Sequence, residues 1–310
     1  MTSGVLVVDK PAGPTSFDVV RAVRRLLCAG KAGHTGTLDP AATGVLAVCL
    51  DEAVKIQQWL AEGDKEYLAT VAFGAATDTE DAQGEVVARG DPGRLDAAVL
   101  RGAIPRFLGE IDQVPPMYSA VRVGGRRLHQ AARAGVEVER APRRVAVHAL
   151  EVLAVEPARD GMVRARLRVR CGKGTYVRTL AADLGRAVGV PAHLAELRRI
   201  RAGPFGIEGA LPLAEAEQLG RDGPGPLRER LVPPAEALGF LPAERLSWAE
   251  ARDLAHGKAL ARPGAPDGLA RALGPDGGLV AVCERRGGTL RPVRVLVAAA
   301  DLAAPPPEGR

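Results

Sequence analysis

The chain has 310 residues, of which 46% are hydrophobic and 25% charged, with a formal net charge of +5. That length suggests two domains, the larger able to bury a full core. No apolar run approaches the roughly 18 residues of a membrane helix, and the start MTSGVLVVDKP lacks a basic leader and a cleavage site, so a cytoplasmic location is expected.

Val5–Val8 reads as a short buried strand. The segment DKPAGP then imposes a turn, and Ser16 is the expected N-cap of a helix running to about Leu27. Residues 30–44 hold five glycines or prolines and no apolar period, so a long loop is expected there. A strand over 45–50 and an amphipathic helix over 52–60 follow. Strands are read at 66–73, 144–155 and 162–171, with a polar loop at 74–84 and a helix at 96–107. Residues 118–123 look extended, Gly124-Gly125 turns the chain, and 126–134 reads as a helix. Residues 176–188 form another. The strands and helices lack regular βαβ spacing, so the expected fold class is α+β.

Residues 220–243, rich in Pro and Gly, read as a linker region. Ser247-Trp248-Ala249-Glu250 has the form of a capping box, and strand-like 279–283 and 293–297 complete a small β-rich unit. The expected domains are therefore 1–235 and 236–300, with a disordered tail over 301–310. Cys28, Cys49, Cys171 and Cys283 form no CxxC pair and have no His at metal spacing, so neither zinc nor a disulfide framework is indicated. Each is expected to pack as a small apolar residue.

Charge is unevenly spread. Residues 1–117 carry 11 basic and 16 acidic side chains, residues 118–178 carry 14 and 5, and the remainder 17 and 16. A basic middle segment is the footprint of a polyanion partner. However, 36 of the 42 basic residues are Arg, and a coding bias would produce the same excess, so composition leaves both readings open. In the run 162–171, Arg164, Arg166, Arg168 and Arg170 share one face of the strand. With Arg122, Arg126 and Arg127, that face would suit phosphates, or it is simply solvated.

The loop KAGHTGTLDPAATG (31–44) concentrates a carboxylate, an imidazole, three hydroxyls and three glycines. It is not a phosphate-cradling P-loop, because GxxxxGK[ST] is absent and Lys31 precedes the glycines. By itself Asp39 reads equally as an Asp-Pro turn residue.

Six segments in order carry a resemblance: GVLVVDKPAGPTSFDVV, KAGHTGTLDPAATGVL, KEYLATVAFGAATDTEDAQG, QVPPMYSAVRVGGRRLHQAARAGVEV, KGTYVRTLAADLG and HLAELRRIRAGPF. Over residues 4 to about 206 the chain resembles the bacterial tRNA pseudouridine-55 synthases of the TruB type. The resemblance implies a pseudouridine-synthase fold, with a mixed, largely antiparallel sheet flanked by helices and a small PUA-like C-terminal domain. It implies an isomerase acting on a uridine in the T-loop of tRNA, as a monomer without guide RNA, metal or organic cofactor. An RNA-folding chaperone and a guide-RNA particle subunit are the alternatives.

By the same resemblance Asp39 is the nucleophile and Arg178 its ionic partner, since a guanidinium keeps a sheltered carboxylate charged and aimed. Tyr67 stacks on the target base and is a candidate for proton transfer. Tyr176 and Leu197 line the uracil pocket, and His34 takes space beside an extruded base. Lys10 supports the catalytic loop or meets a phosphate. Asp81 keeps two readings, an RNA contact or a solvated loop acid. Tyr118 is read equally as core or as functional.

Overall fold

The structure, a computed structural model, describes residues 3–93, 95–118, 122–123, 126–127, 138–221 and 223–302. The chain forms two units, one of residues 1–38, 45–61 and 203–310, the other of 39–44 and 62–202. In chain order the strands and helices begin with β1 (Gly4–Lys10), α1 (Ser16–Leu26), β2 (Ala32–His34), β3 (Thr43–Leu50) and α2 (Gln57–Glu62). Next come β4 (Lys65–Phe73), β5 (Ala75–Thr77), β6 (Val86–Arg89), α3 (Ala97–Ala103) and β7 (Gly109–Gln113). Two short strands, β8 (Arg122–Val123) and β9 (Arg126–Arg127), precede β10 (Arg143–Arg159), β11 (Met162–Cys171), α4 (Val177–Val188) and β12 (Ala192–Ala202). Then follow β13 (Phe205–Gly206), β14 (Leu211–Pro212), α5 (Leu213–Leu219), α6 (Gly225–Arg228) and α7 (Pro234–Ala237). The end comprises β15 (Ala243–Arg245), α8 (Trp248–Ala255), β16 (Leu260–Ala261), β17 (Gly268–Leu273), β18 (Leu279–Arg286) and β19 (Thr289–Val295).

In the first unit β1 lies between β14 and β3, pairing parallel to β14 at Val8↔Leu211. Leu6, Val8, Val19, Val23, Leu27, Leu46 and Val48 bury one core with Ala216 and Leu227. At roughly 1.5–3 kcal/mol per large apolar side chain, this packing holds β1 and β3 in place. The helix α1 starts from Thr15, not Ser16: Asp18 N–H donates to Thr15 Oγ1 at 3.1 Å, and Thr15 N–H returns to the Asp18 carboxylate at 3.1 Å. Ser16 points inward because it is the first helical residue rather than the cap.

The five strands β15-β17-β18-β19-β16 form a separate sheet, with α8 packed on it through Ala251 and Leu254. The Ser247–Glu250 capping box that opens α8 is formed as expected. Residues 220–243 are not a linker. Leu227, Ala237 and Leu238 are buried there, because each proline-led turn places its apolar residue inward.

In the second unit the strand order is β12-β4-β11-β10-β7, all antiparallel neighbours. Strand β12 also pairs parallel with the start of β3 at Thr43 and Gly44, so the sheet is mixed. Lys65, Tyr67, Ala69 and Val71 alternate inward along β4, as a half-covered strand requires. Helix α4 buries Leu180, Ala181 and Leu184.

Other expectations need correction. Residues 32–34 and 75–77 are strands within the expected loops, each held by a hairpin partner that a single segment does not reveal. Arg126 and Arg127 pair as strand with Val123 and Arg122 rather than opening a helix; the rest of that expected helix and residues 303–310 of the expected tail lie outside the described residues. Cys49, Cys171 and Cys283 are buried, and burial pushes their thiols up to about 12, 11 and 12. Cys28 is exposed, since it follows α1 with φ +52° and turns away from the core.

Candidate active site

Asp39 lies in the turn between Leu38 and β3. Its carbonyl accepts from Ala42 N–H at 3.1 Å, and the preceding residue is pinned by Ser16, whose hydroxyl donates to Leu38 O at 2.9 Å and accepts from Leu38 N–H at 2.8 Å. Gly44, where the turn meets β3, has φ +103°, and a Cβ there would fall 2.1 Å from Arg199 O. Only glycine fits, because both the left-handed backbone and the close strand approach exclude a side chain.

Arg178 rises from the first turn of α4 and is almost wholly buried. Its Nε stands 3.0 Å from Asp39 Oδ2, and the Asp39 side chain remains 43% exposed while that of Arg178 is 6% exposed. The rest of the guanidinium is occupied from behind. Nη1 donates to Thr79 O at 3.1 Å and lies 3.6 Å from Asp81 Oδ2; Nη2 donates to Tyr118 O at 2.9 Å. A planar fork with every arm engaged cannot rotate, so Nε presents one geometry to the carboxylate.

Tyr67 sits on β4 opposite Val169 and Arg199. The buried Arg199 guanidinium donates to its hydroxyl. Burial raises the Tyr67 pKa, Arg199 pulls it back, and Asp39 raises it further, so the hydroxyl is held in its protonated form. Leu197 pairs with Ala69 on the same strand pair and is half-buried. Tyr176, the residue before α4, is gripped by the backbone: its N–H donates to Gln113 Oε1 at 2.8 Å and its carbonyl accepts from Gln113 Nε2 at 3.0 Å.

The structure thus brings Asp39, Asp81 and Arg178 into direct contact, with Tyr67 within electrostatic reach of Asp39. The Asp81 carboxylate is turned into its own turn, accepting from the Thr79 hydroxyl at 2.7 Å and Gln83 N–H at 3.0 Å. Its other oxygen lies behind Arg178. Lys10 is fully buried and donates to Pro11 O at 2.9 Å. His34 belongs to the first unit, on β2, where its Nδ1 accepts from Gly36 N–H at 3.2 Å and its carbonyl accepts from Gln57 Nε2 at 2.7 Å. Arg199, Gln113 and Glu80 were not singled out in the sequence, and Ser16 was read only as a helix cap. All four lie within the six family segments, which gave no sign of their partners.

A half-exposed carboxylate paired with a buried, fully occupied guanidinium on an α+β sheet is the arrangement that a carboxylate nucleophile would need. Residues 24–177 match the TruB family pseudouridylate synthase N-terminal domain. Residues 178–238 match the tRNA pseudouridylate synthase B C-terminal domain, and 241–297 the C-terminal domain of tRNA pseudouridine synthase II. The chain belongs to the TruB family of pseudouridylate synthases. It is 48% identical over 298 residues to the tRNA pseudouridine synthase B of Aromatoleum aromaticum, covering 96% of this chain and 93% of that one. It is 50% identical over 256 residues to the enzyme of that name from Symbiobacterium thermophilum, covering 83% and 82%. Among solved structures it is similar to a chain of an H/ACA ribonucleoprotein bound to a substrate RNA containing 2'-deoxyuridine, at TM-score 0.73 and 27% identity over 98% of this chain and 87% of that chain.

Proposed function

We propose that this enzyme isomerises uridine-55 in the T-loop of tRNA to pseudouridine, using Asp39 as nucleophile. The observation that carries the reading is the 3.0 Å Arg178–Asp39 pair in a half-exposed setting, together with relatives named for tRNA that match nearly the whole chain. In the reaction Asp39 adds to the uridine and later leaves, the N1–C1′ bond breaks, the uracil turns, C5 bonds to C1′ and gives its proton to solvent or a base, and N1 takes up a proton in exchange. Atoms balance within one substrate, so the chemistry asks for no oxidant or cofactor. The base is flipped out of the folded T-loop before it meets Asp39. Tyr67 stacks on it, Tyr176 and Leu197 flank it, and His34 takes space beside it. The enzyme works as a cytoplasmic monomer. Residues 1–235 carry catalysis, and residues 236–300 form a PUA-like module that binds RNA.

The guide-dependent alternative draws on the ribonucleoprotein likeness, but at 27% identity against 48% for a tRNA enzyme. The test is tritium release from a guide-free tRNA transcript labelled at uridine C5, followed by mapping of the product. Release with pseudouridine at position 55 is expected. Activity only on addition of a guide RNA, or modification at another site, would overturn the reading.

A further inference from the structure

Arg178 owes its orientation to the turn over residues 77–85, and the residue at the centre of that turn is one the reaction does not obviously require. Glu80 is a non-glycine residue with φ +63°. That left-handed backbone reverses the chain, so the residue before it and the residue after it address one atom. Thr79 O and Asp81 Oδ2 both face Arg178 Nη1. Such a conformation persists only where its surroundings over-determine it, and here three bonds do so. Glu80 N–H donates to Thr77 O at 3.2 Å, Glu80 O accepts from Leu194 N–H at 3.0 Å, and Glu80 Oε2 accepts from Thr179 Oγ1 at 2.6 Å. Thr179 directly follows Arg178. Residues 79 and 80 therefore bond residues 178 and 179 as two adjacent rungs between the turn and the start of α4.

On the reading that Asp39 and Arg178 carry the isomerisation, we propose that Glu80 is a positioning residue, whose rung to Thr179 locks the 79–81 turn and so aims Arg178 Nε at Asp39. It touches neither substrate nor Asp39; it acts through Arg178. Because a misplaced catalytic group loses rate while the RNA-binding surface is untouched, its loss should appear in kcat and not in KM.

The test uses the full chain and the tritium-release assay with tRNA transcript, with KM, tRNA Kd and thermal melting measured alongside. Glu80→Ala and Thr179→Val should each lower kcat by roughly 10- to 100-fold, with KM and Kd within about 2-fold. The double variant should be no worse than either single one, since both remove the same rung. Glu80→Gln keeps an acceptor for the Thr179 hydroxyl and should restore kcat to within about 3-fold of wild type. Glu80→Gly separates aim from stability: it relieves the left-handed strain and should melt near wild type, yet it should lose kcat as Glu80→Ala does. Wild-type kcat in Glu80→Ala or Thr179→Val would overturn the proposal. So would a defect that Glu80→Gln shares in full, or one that Glu80→Gly repairs. An inactive wild-type protein would instead sink the proposed function, leaving this question to the melting data alone.

Discussion

At the residue scale, Asp39 and Arg178 divide one task. The arginine is almost wholly buried while the carboxylate stays half-exposed. Removing the charge should abolish turnover and spare the fold: Asp39→Asn is expected to lose at least roughly 10³-fold in tritium release, while tRNA binding by filter retention stays near wild type. Tyr67 offers an aromatic ring and a hydroxyl whose pKa is raised by burial, and two variants separate their proposed roles. Tyr67→Phe should bind RNA nearly normally and fail at turnover if the hydroxyl moves the proton, whereas Tyr67→Ala should fail at both. Wild-type rates in both variants would remove Tyr67 from the site. Glu80 adds a pH signature. Burial raises its carboxyl above the ordinary 4.5, with the Thr179 hydrogen bond and Arg178 pulling it down. A raised folded pKa stabilises the fold below the unfolded value, and that contribution is lost as pH rises through the folded one. Glu80→Gln should therefore be at least as stable as wild type at pH 8, with its melting advantage shrinking toward pH 4. An advantage that grows on acidification would contradict this sign.

At the element scale, the catalytic turn is held at both ends by features outside it. Ser16 satisfies both backbone groups of Leu38, so Ser16→Ala should leave two buried groups unpaired, at a cost of about 1–3 kcal/mol in urea unfolding. Gly44→Ala meets Arg199 backbone and should be more damaging than any other small substitution in the loop. The arginine face of β11 tells a different story from its sequence. The alternation is real, with Val163, Ala165, Leu167 and Val169 buried behind it. But Arg168 is ion-paired with Glu66, and Arg170 with Asp64 at 3.2 Å. Arg164 stands opposite Glu156, and Arg168 opposite Glu151. Interleaved acids make it a solvated face of mixed sign. Three phosphate contacts would contribute a salt slope of about 2.7. Neutralising Arg164, Arg166 and Arg168 together should instead leave the slope of log K against log salt nearly unchanged. A slope flattened by that amount would return the strand to the RNA-binding surface.

At the scale of the whole molecule, the proposed T-loop reading makes a short T-arm stem-loop a substrate, since recognition then lies in that fold. An inert fragment beside an active full-length tRNA would move recognition to more distant contacts. Much of the architecture was legible beforehand because period and punctuation are local properties. The alternation of 162–171, the helix over 176–188 and the Ser247 capping box are each written within a dozen residues. The pairing of Asp39 with Arg178 was legible through the ordered motifs. What only the tertiary structure decided are the matters that depend on a distant partner. Short strands such as β2 and β5 exist because another strand pairs with them. Residues 220–243 look like a linker until their apolar side chains find a core. The sequence alone determined which residues could do the chemistry, since charge and nucleophilicity belong to the residue. That Thr79 O meets Arg178 and that Glu80 bonds Thr179 were decided by folding, because hydrogen bonds between residues 99 positions apart leave no local pattern to read.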